Sequence, residues 1–329
     1  MKIYETVNNY SDQKSFTERL NFINQLNLAG IRCNLSKLSG NSLVNALDDI
    51  SKVFITENHC CELLLDIPYP FSKPRIKRFK CSSKIIENER YTIASLETFS
   101  SSSDIILDHI DWNNISIGDI VYYSDGYGAF EVISNNMQSV VVKALNNFKI
   151  DNNKSLSFSL FENYDLLQTI KTFMNNHNSL NAVFLLSFVS GPDDIIKFRK
   201  EVNGRYSVIS KIESMSGLEN LDQIAKLSDG LLVARGDLAT YGDYSKLLYY
   251  TNLISKAAIK NNISIYYATD MLLSLENSYL PNRSEIIDIS FITSLGCDKF
   301  ILSNYIKNIE HVVEVLKNIA TNCKQGDVL

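Results

Sequence analysis

Val208-Ile209-Ser210-Lys211-Ile212-Glu213 and Gly230-Leu231-Leu232-Val233-Ala234-Arg235-Gly236-Asp237 are two short apolar runs that each end in charge, joined by a helically spaced stretch from Leu221 to Leu227. A strand, a crossover helix and a second strand form the repeating unit of a parallel sheet. Residues two apart on a strand point to one face, so Lys211 and Glu213 should emerge side by side, with Asp237 arriving from the neighbouring strand. Two carboxylates and an ammonium in such a place would hold Mg²⁺ against an oxyanion.

Further apolar runs flank this pair on both sides: Lys2 to Val7, Gly30 to Leu35, Leu63 to Asp66, Val183 to Val189, Ile263 to Ala268 and Lys299 to Leu302. Helical spacing separates most of them, as in Phe16 to Leu28, Tyr244 to Lys260 and Glu285 to Ser294, and a last helix is expected from Ile309 to Ala320. Eight alternating units predict an α/β chain closed into a (β/α)₈ TIM barrel. The alternation breaks after the third strand. From about Arg78 to Ser159 there are only short β-branched pieces, Ile120 to Tyr123, Phe130 to Ile133 and Ser139 to Lys143, punctuated by Gly118-Asp119, Asp125-Gly126 and Asn135-Asn136. The expected organisation is therefore a barrel over 1–77 and 160–329, with a small all-β lid domain, 78–159, inserted between the third strand and the third helix.

Composition narrows the function classes. With 45% apolar and 21% charged residues in 329, the chain has the make-up of a folded globular protein and not of a disordered one. A formal charge of −5 leaves no broad basic surface for a phosphate backbone, so nucleic acid is not an expected partner. The start of the chain lacks the apolar stretch of a secretory signal, and no run approaches the roughly 18 residues that cross a bilayer, so a cytoplasmic protein without membrane contact is expected. Cys33, Cys60, Cys61, Cys81, Cys297 and Cys323 lack the paired spacing of a metal site and read as free thiols.

In a barrel of this kind, chemistry gathers where the C-terminal ends of the strands open into loops. The polar residues at those ends are Arg32, Asn34 and Ser36, then Asp66, Ser187, Lys211 with Glu213, Asp237, Thr269 and Ser303. Taken singly, each is an ordinary cap or loop residue, Lys211 with Glu213 a surface ion pair, and Arg235-Gly236-Asp237 a turn. Their arrival from several strands favours one shared site. Gly217 and Gly242 do not build a glycine-rich phosphate loop.

At these residues the chain resembles the pyruvate kinase family. Ile209-Ser-Lys-Ile-Glu213, Gly217-Leu-Glu-Asn-Leu-Asp222 and Ser228-Asp-Gly-Leu-Leu-Val-Ala-Arg-Gly-Asp-Leu238 are similar to the family's Lys-Ile-Glu-Asn, Gly-x-x-Asn-Ile-Asp and Ser-Asp-Gly-Ile-Met-Val-Ala-Arg-Gly-Asp-Leu. Ala268-Thr-Asp-Met-Leu272, Pro281-Asn-Arg-Ser-Glu285, Gly30-Ile-Arg-Cys-Asn-Leu-Ser36 and Leu63-Leu-Leu-Asp66 resemble further family stretches. The resemblance implies Mg²⁺ or Mn²⁺ on Glu213 and Asp237, with Lys211 steadying a phosphoryl group in flight. It implies Arg32 on the phosphate, and Thr269 with the Ala234, Arg235 and Gly236 backbone on a pyruvate carboxylate. Asn34, Ser36 and Asp66 would form a monovalent-cation site for K⁺. A small phosphorylated or 2-oxo-acid substrate and a homo-oligomer are implied as partners, with a nucleotide as a further one.

The chain also departs from the family pattern. Lys37-Leu38 stands where the family has His-Gly, and Ser303-Asn304-Tyr305-Ile306 stands where the last strand ends Ser-Gly-Glu-Thr. Ile67-Pro68-Tyr69-Pro70 and Lys73-Pro74-Arg75-Ile76-Lys77 replace Thr-Lys-Gly-Pro-Glu-Ile-Arg, so Arg75 in the place of that Glu would be a built-in cation instead of K⁺. The reading expects a shortened family member without the C-terminal allosteric domain. Three functions stay open: a Mg²⁺-dependent phosphotransferase on phosphoenolpyruvate or a related 2-oxo acid with a non-standard acceptor, a metal-dependent pyruvate-enolate lyase or aldolase, and an inactive binding protein.

Overall fold

The computed structural model describes residues 1–8, 12–35, 38, 40–56, 61–163, 166–177, 180, 182–268, 270–303 and 308–325. Eight parallel strands pair around a closed ring: β1 Lys2–Val7, β2 Gly30–Asn34, β3 Glu62–Ser72, β4 Ala182–Ser187, β5 Ser207–Ile212, β6 Gly230–Val233, β7 Ser264–Ala268 and β8 Lys299–Leu302. The ring closes because β8 pairs with β1, Lys299 opposite Lys2, and β2 pairs with β3, Gly30 opposite Glu62. Ten helices lie along the chain among the described residues: α1 Gln13–Gln25, α2 Gly40–Thr56, α3 Leu166–Asn176, α4 Pro192–Glu201, α5 Met215–Glu219, α6 Leu221–Leu227, α7 Arg235–Tyr241, α8 Leu247–Lys260, α9 Arg283–Ser294 and α10 Ile309–Gln325. This is the α/β TIM barrel that the alternating runs predict.

Two differences from the sequence reading have local causes. The third strand runs on past Asp66 to Ser72, because Ile67-Pro68-Tyr69-Pro70 is buried and extended; two prolines so close together break a helix interior and fit extended backbone. Asp237 does not close a strand. β6 stops at Val233, and Asp237 sits in the first turn of α7, where a negative side chain complements the helix dipole.

The chain divides into two compact units, the first comprising Met1–Pro70, Tyr164–Arg235 and Lys246–Leu329, the second Phe71–Asn163 and Gly236–Ser245. In the first, the barrel interior is filled by Tyr4, Leu64, Leu185, Ile209, Leu232, Ala234, Tyr266, Ala268 and Ile301. Alternation then decides what stands one layer toward the strand ends. Two residues beyond Tyr4, Leu64, Leu185 and Ile209 come Thr6, Asp66, Ser187 and Lys211, so those polar side chains share the interior face. At the opposite end the barrel is stoppered by polar contacts: the Tyr4 hydroxyl donates to Glu62 Oε2 at 2.8 Å, Lys2 pairs with Glu62, and Lys299 Nζ donates to the Tyr266 hydroxyl at 3.1 Å. Gly30 is required by close approach, since a Cβ there would lie 2.0 Å from the Glu62 carbonyl oxygen of β3.

The second unit is built on a six-stranded sheet in the order Ile76–Phe79, Ile105–Leu107, Arg90–Ser95, Ser139–Ala144, Gly128–Asn135 and Ile120–Tyr123. Alternating Val140, Val142, Phe130 and Val132 turn inward, and Phe148 stacks on Tyr123 with ring centres 5.3 Å apart. Asp125 and Gly126 take positive φ of 61° and 92° at the turn that joins the neighbouring strands Ile120–Tyr123 and Gly128–Asn135. A short strand, Phe161–Glu162, pairs antiparallel with the end of β3 at Phe71 and Ser72. Among the described residues no helix is long and apolar enough to cross a membrane. Cys33, Cys61, Cys81, Cys297 and Cys323 are free thiols, and Cys60 lies outside the described residues.

Candidate active site

Three strands of the first unit bring charge to one point inside the barrel, and two more add hydroxyl groups. Lys211, from β5, donates its ammonium to Asp66 Oδ1 at 3.1 Å and to Ser187 Oγ at 3.1 Å, and lies 3.1 Å from Glu213 Oε1. Arg32, from β2, donates Nε and Nη2 to Asp66 Oδ2 at 2.9 and 2.5 Å, while its Nη1 donates to Thr6 Oγ1 of β1 at 3.1 Å. Ser187 in turn donates to the Ile67 carbonyl at 2.9 Å, which leaves its lone pairs toward Lys211. Register explains part of this convergence, because Asn34 and Asp66 are direct partners on β2 and β3.

Two cations and two carboxylates make this quartet neutral. Asp66 is fully buried, which alone would raise its carboxyl pKa, but Lys211 and Arg32 outweigh burial and hold it below the ordinary aspartate value. Glu213 is also buried, and its second oxygen, Oε2, accepts the Phe188 amide at 2.6 Å. Phe188 adopts φ 53°, a left-handed conformation that costs a non-glycine residue roughly 1–2 kcal/mol. That turn after β4 is what aims the amide at the carboxylate.

Sequence reasoning places Lys211, Glu213, Asp66, Arg32 and Ser187 together, and the barrel joins them. It misses Thr6 and Phe188. Thr6 carries the same signal as the others, a polar residue two positions beyond an interior apolar one, whereas Phe188 acts through its backbone and has no side-chain signature. Ala234 is buried in the barrel interior. Arg235 is turned to Asp288 of α9, Nη1 to Oδ2 2.5 Å, and lies over the Tyr267 ring at 4.7 Å. Ser36 and Thr269 lie outside the described residues.

The second unit holds its own charged cluster. Lys73 Nζ donates to Asp237 Oδ1 at 2.6 Å and lies 3.7 Å from Asp125 Oδ1. Gly236 packs on the same aspartate, since a Cβ there would stand 3.3 Å from Asp125 Cγ. Burial alone would lower the Lys73 pKa, but Asp237 and Asp125 outweigh it and raise it, so the side chain stays an ammonium. Arg75 is buried as well; its amide donates to Asp108 Oδ1 at 2.7 Å and its Nη1 to the Asn153 carbonyl at 3.1 Å. Burial draws the Arg75 pKa down despite the carboxylates around it.

Among the described residues no cluster of three or more His, Cys, Asp or Glu side chains forms a complete protein cage for a metal. The donor chemistry nevertheless suits Mg²⁺, which takes one or two carboxylates and completes its shell with water and substrate oxygens. Glu213 faces Lys211 and Asp237 faces Lys73, so each carboxylate already accepts a positive charge that stands in for a cation. K⁺ at Asp66 fits less well. Both Asp66 oxygens are taken by protein cations, and a further one would unbalance a neutral quartet.

Comparison with known proteins gives one consistent result. The family model described as pyruvate kinase, barrel domain, matches residues 2–312. The pyruvate kinase of Encephalitozoon cuniculi is 28% identical over 258 residues, covering 77% of this chain and 60% of that protein. That of Candida albicans is 28% identical over 258 residues, covering 72% of this chain and 49% of that protein. A shorter match, 37% identical over 126 residues, is made to the pyruvate kinase of Mycoplasma pneumoniae, covering 37% of this chain and 25% of that protein. The chain thus spans 60% and 49% of the first two relatives, about half their length.

Proposed function

The chain belongs to the pyruvate kinase family, and from that membership we propose a Mg²⁺-dependent phosphotransferase acting on phosphoenolpyruvate, pyruvate or a related 2-oxo acid. The observation that carries the reading is the Lys211 ammonium, held at 3.1 Å by each of Asp66 and Glu213 inside the barrel. A fixed ammonium in a water-poor place stabilises the charge of a phosphoryl group in transit, or of the enolate left behind, far better than a solvated one. Arg32 supplies a second cation on the same carboxylate, suited to the substrate phosphate.

Glu213 and Asp237, each within the family's signature stretch, would hold the divalent ion, and Thr269 with the Ala234-Arg235-Gly236 backbone would take the substrate carboxylate. When bound, Mg²⁺ would neutralise the developing charge on the transferred group. Lys211 keeps its direction because three acceptors share its protons. Ser187 fixes the side nearest β4, and Arg32 and Lys211 together keep Asp66 ionised.

The acceptor is proposed to differ from the usual nucleoside diphosphate, on the sequence departures at Lys37-Leu38 and Ser303-Asn304-Tyr305-Ile306. The test is pyruvate release from phosphoenolpyruvate with Mg²⁺ and a panel of nucleoside diphosphates and small alcohols. Turnover with one acceptor supports the proposal. No release with any acceptor, alongside deuterium entry at the pyruvate methyl, would replace it with enolate chemistry of the lyase type; neither activity would leave a binding protein. A cytoplasmic location and assembly into a homo-oligomer belong to the same proposal.

A further inference from the structure

Lys73 stands in a motif that the reaction above does not use. It leaves β3 next to Pro74 and carries its ammonium to two aspartates of the second unit that come from distant parts of the chain. Asp237 Oδ1 receives it at 2.6 Å, and Asp125 Oδ1 waits at 3.7 Å. The Lys73 side chain is 15% exposed and that of Asp237 14%, so water screens this pair weakly. The contact is therefore a strong one with a second acceptor close by.

We propose that Lys73 is a displaceable counter-ion of Asp237, whose ammonium passes to Asp125 when a divalent cation takes the Asp237 carboxylate. The inference rests on the reading of Asp237 as a metal ligand. A Mg²⁺ ion bonds carboxylate oxygen at about 2.0–2.1 Å, and a lysine ammonium held on the same carboxylate would face it across a few ångströms of poorly screened space. Moving the ammonium toward Asp125 relieves that repulsion without carrying the charge into water. Asp125 is 47% exposed, so it accepts the ammonium at little cost in desolvation. Lys73 thus sets metal affinity from outside the coordination shell, as a positioning residue for Asp237.

The test is titration of the metal-free protein with Mn²⁺, counting the free ion by electron paramagnetic resonance. Lys73→Met should bind Mn²⁺ about tenfold more tightly, because the competing charge is gone. Asp125→Asn should bind it more weakly, since the displaced ammonium loses its second partner. In the double variant the Asp125→Asn effect should vanish, because Asp125 acts only through Lys73. Lys73→Gln, which keeps a polar side chain, serves if the methionine variant does not fold. Unchanged or weaker binding by these Lys73 variants, with Asp237→Asn abolishing binding, overturns the inference and leaves the metal reading intact. Mn²⁺ binding that survives Asp237→Asn, or no binding by any form, removes the metal reading and the inference together.

Discussion

Lys211 and Asp66 stand 145 residues apart in the chain and share a 3.1 Å charge-assisted hydrogen bond inside the barrel. Neither residue is adjacent to the other on paired strands, because β4 lies between β3 and β5. The lysine reaches across that gap because only a long side chain on the interior face spans it. This bond ties the proposed phosphoryl-stabilising group to the carboxylate that also anchors Arg32.

Removing the ammonium should cost both rate and stability. Lys211→Ala leaves Asp66 and Glu213 with one buried partner fewer, and breaking a buried ion pair in this way typically costs about 3–5 kcal/mol. Phosphoenolpyruvate turnover should fall by at least about a hundredfold, in line with losses on deleting a group that stabilises transition-state charge. Urea unfolding and single-turnover kinetics on one preparation separate the two effects. Parent-like values for both would mean that Lys211 neither stabilises the barrel nor takes part in the reaction.

Acid should act through Asp66. Its pKa is lowered in the folded state, so its contribution is fully present above the unfolded value of about 3.9 and is lost as pH falls through the lower folded value. The melting temperature should therefore drop as pH falls below the ordinary aspartate range, and Asp66→Asn should flatten that limb. An equally steep decline in the variant would place the acid sensitivity elsewhere.

Monovalent cations should matter little. Asp66 already carries Arg32 on one oxygen and Lys211 on the other, so K⁺ has no uncompensated charge to answer. Replacing K⁺ by a large organic cation at constant ionic strength should leave turnover within about twofold, less than one buried ion pair would contribute. A collapse of activity without K⁺ would show that Asn34 and Asp66 bind it despite their protein partners.

Much of this architecture is legible in the sequence. The eight strands announce themselves as apolar runs, since strands covered on both faces need no polar alternation. Lys211, Glu213, Asp66, Arg32 and Ser187 follow from the same periodicity, being the polar residues that continue an inward-facing series. The full extent of β3 is not visible as an apolar run, because charged Asp66 and the two prolines Pro68 and Pro70 interrupt it, although all three are buried in the strand. Asp237 reads as a strand end because nothing in Gly230 to Ala234 signals a stop between Val233, the last residue of β6, and Arg235, the first of α7. The partner of each charge was the least visible feature, since Lys73 meets Asp237 across 164 positions and only the fold sets that distance.

Close packing of the barrel gives a further test of the fold itself. Gly30→Ala forces a methyl to within 2.0 Å of the Glu62 carbonyl on the paired strand, and backbone cannot yield as a flexible side chain would. The variant should lose at least about 2 kcal/mol of stability in urea unfolding or fail to fold, as overpacked core positions do. Parent-like stability would mean that β2 and β3 are not paired at this register.

Diffraction from crystals soaked with Mn²⁺ and oxalate, a mimic of the pyruvate enolate, tests the central claim most directly. The account predicts one anomalous peak bonded to a carboxylate oxygen of Glu213 and one of Asp237, with oxalate on the metal and the Lys211 ammonium against an oxalate oxygen. A peak elsewhere, or none with Lys211 still holding Glu213, would contradict it.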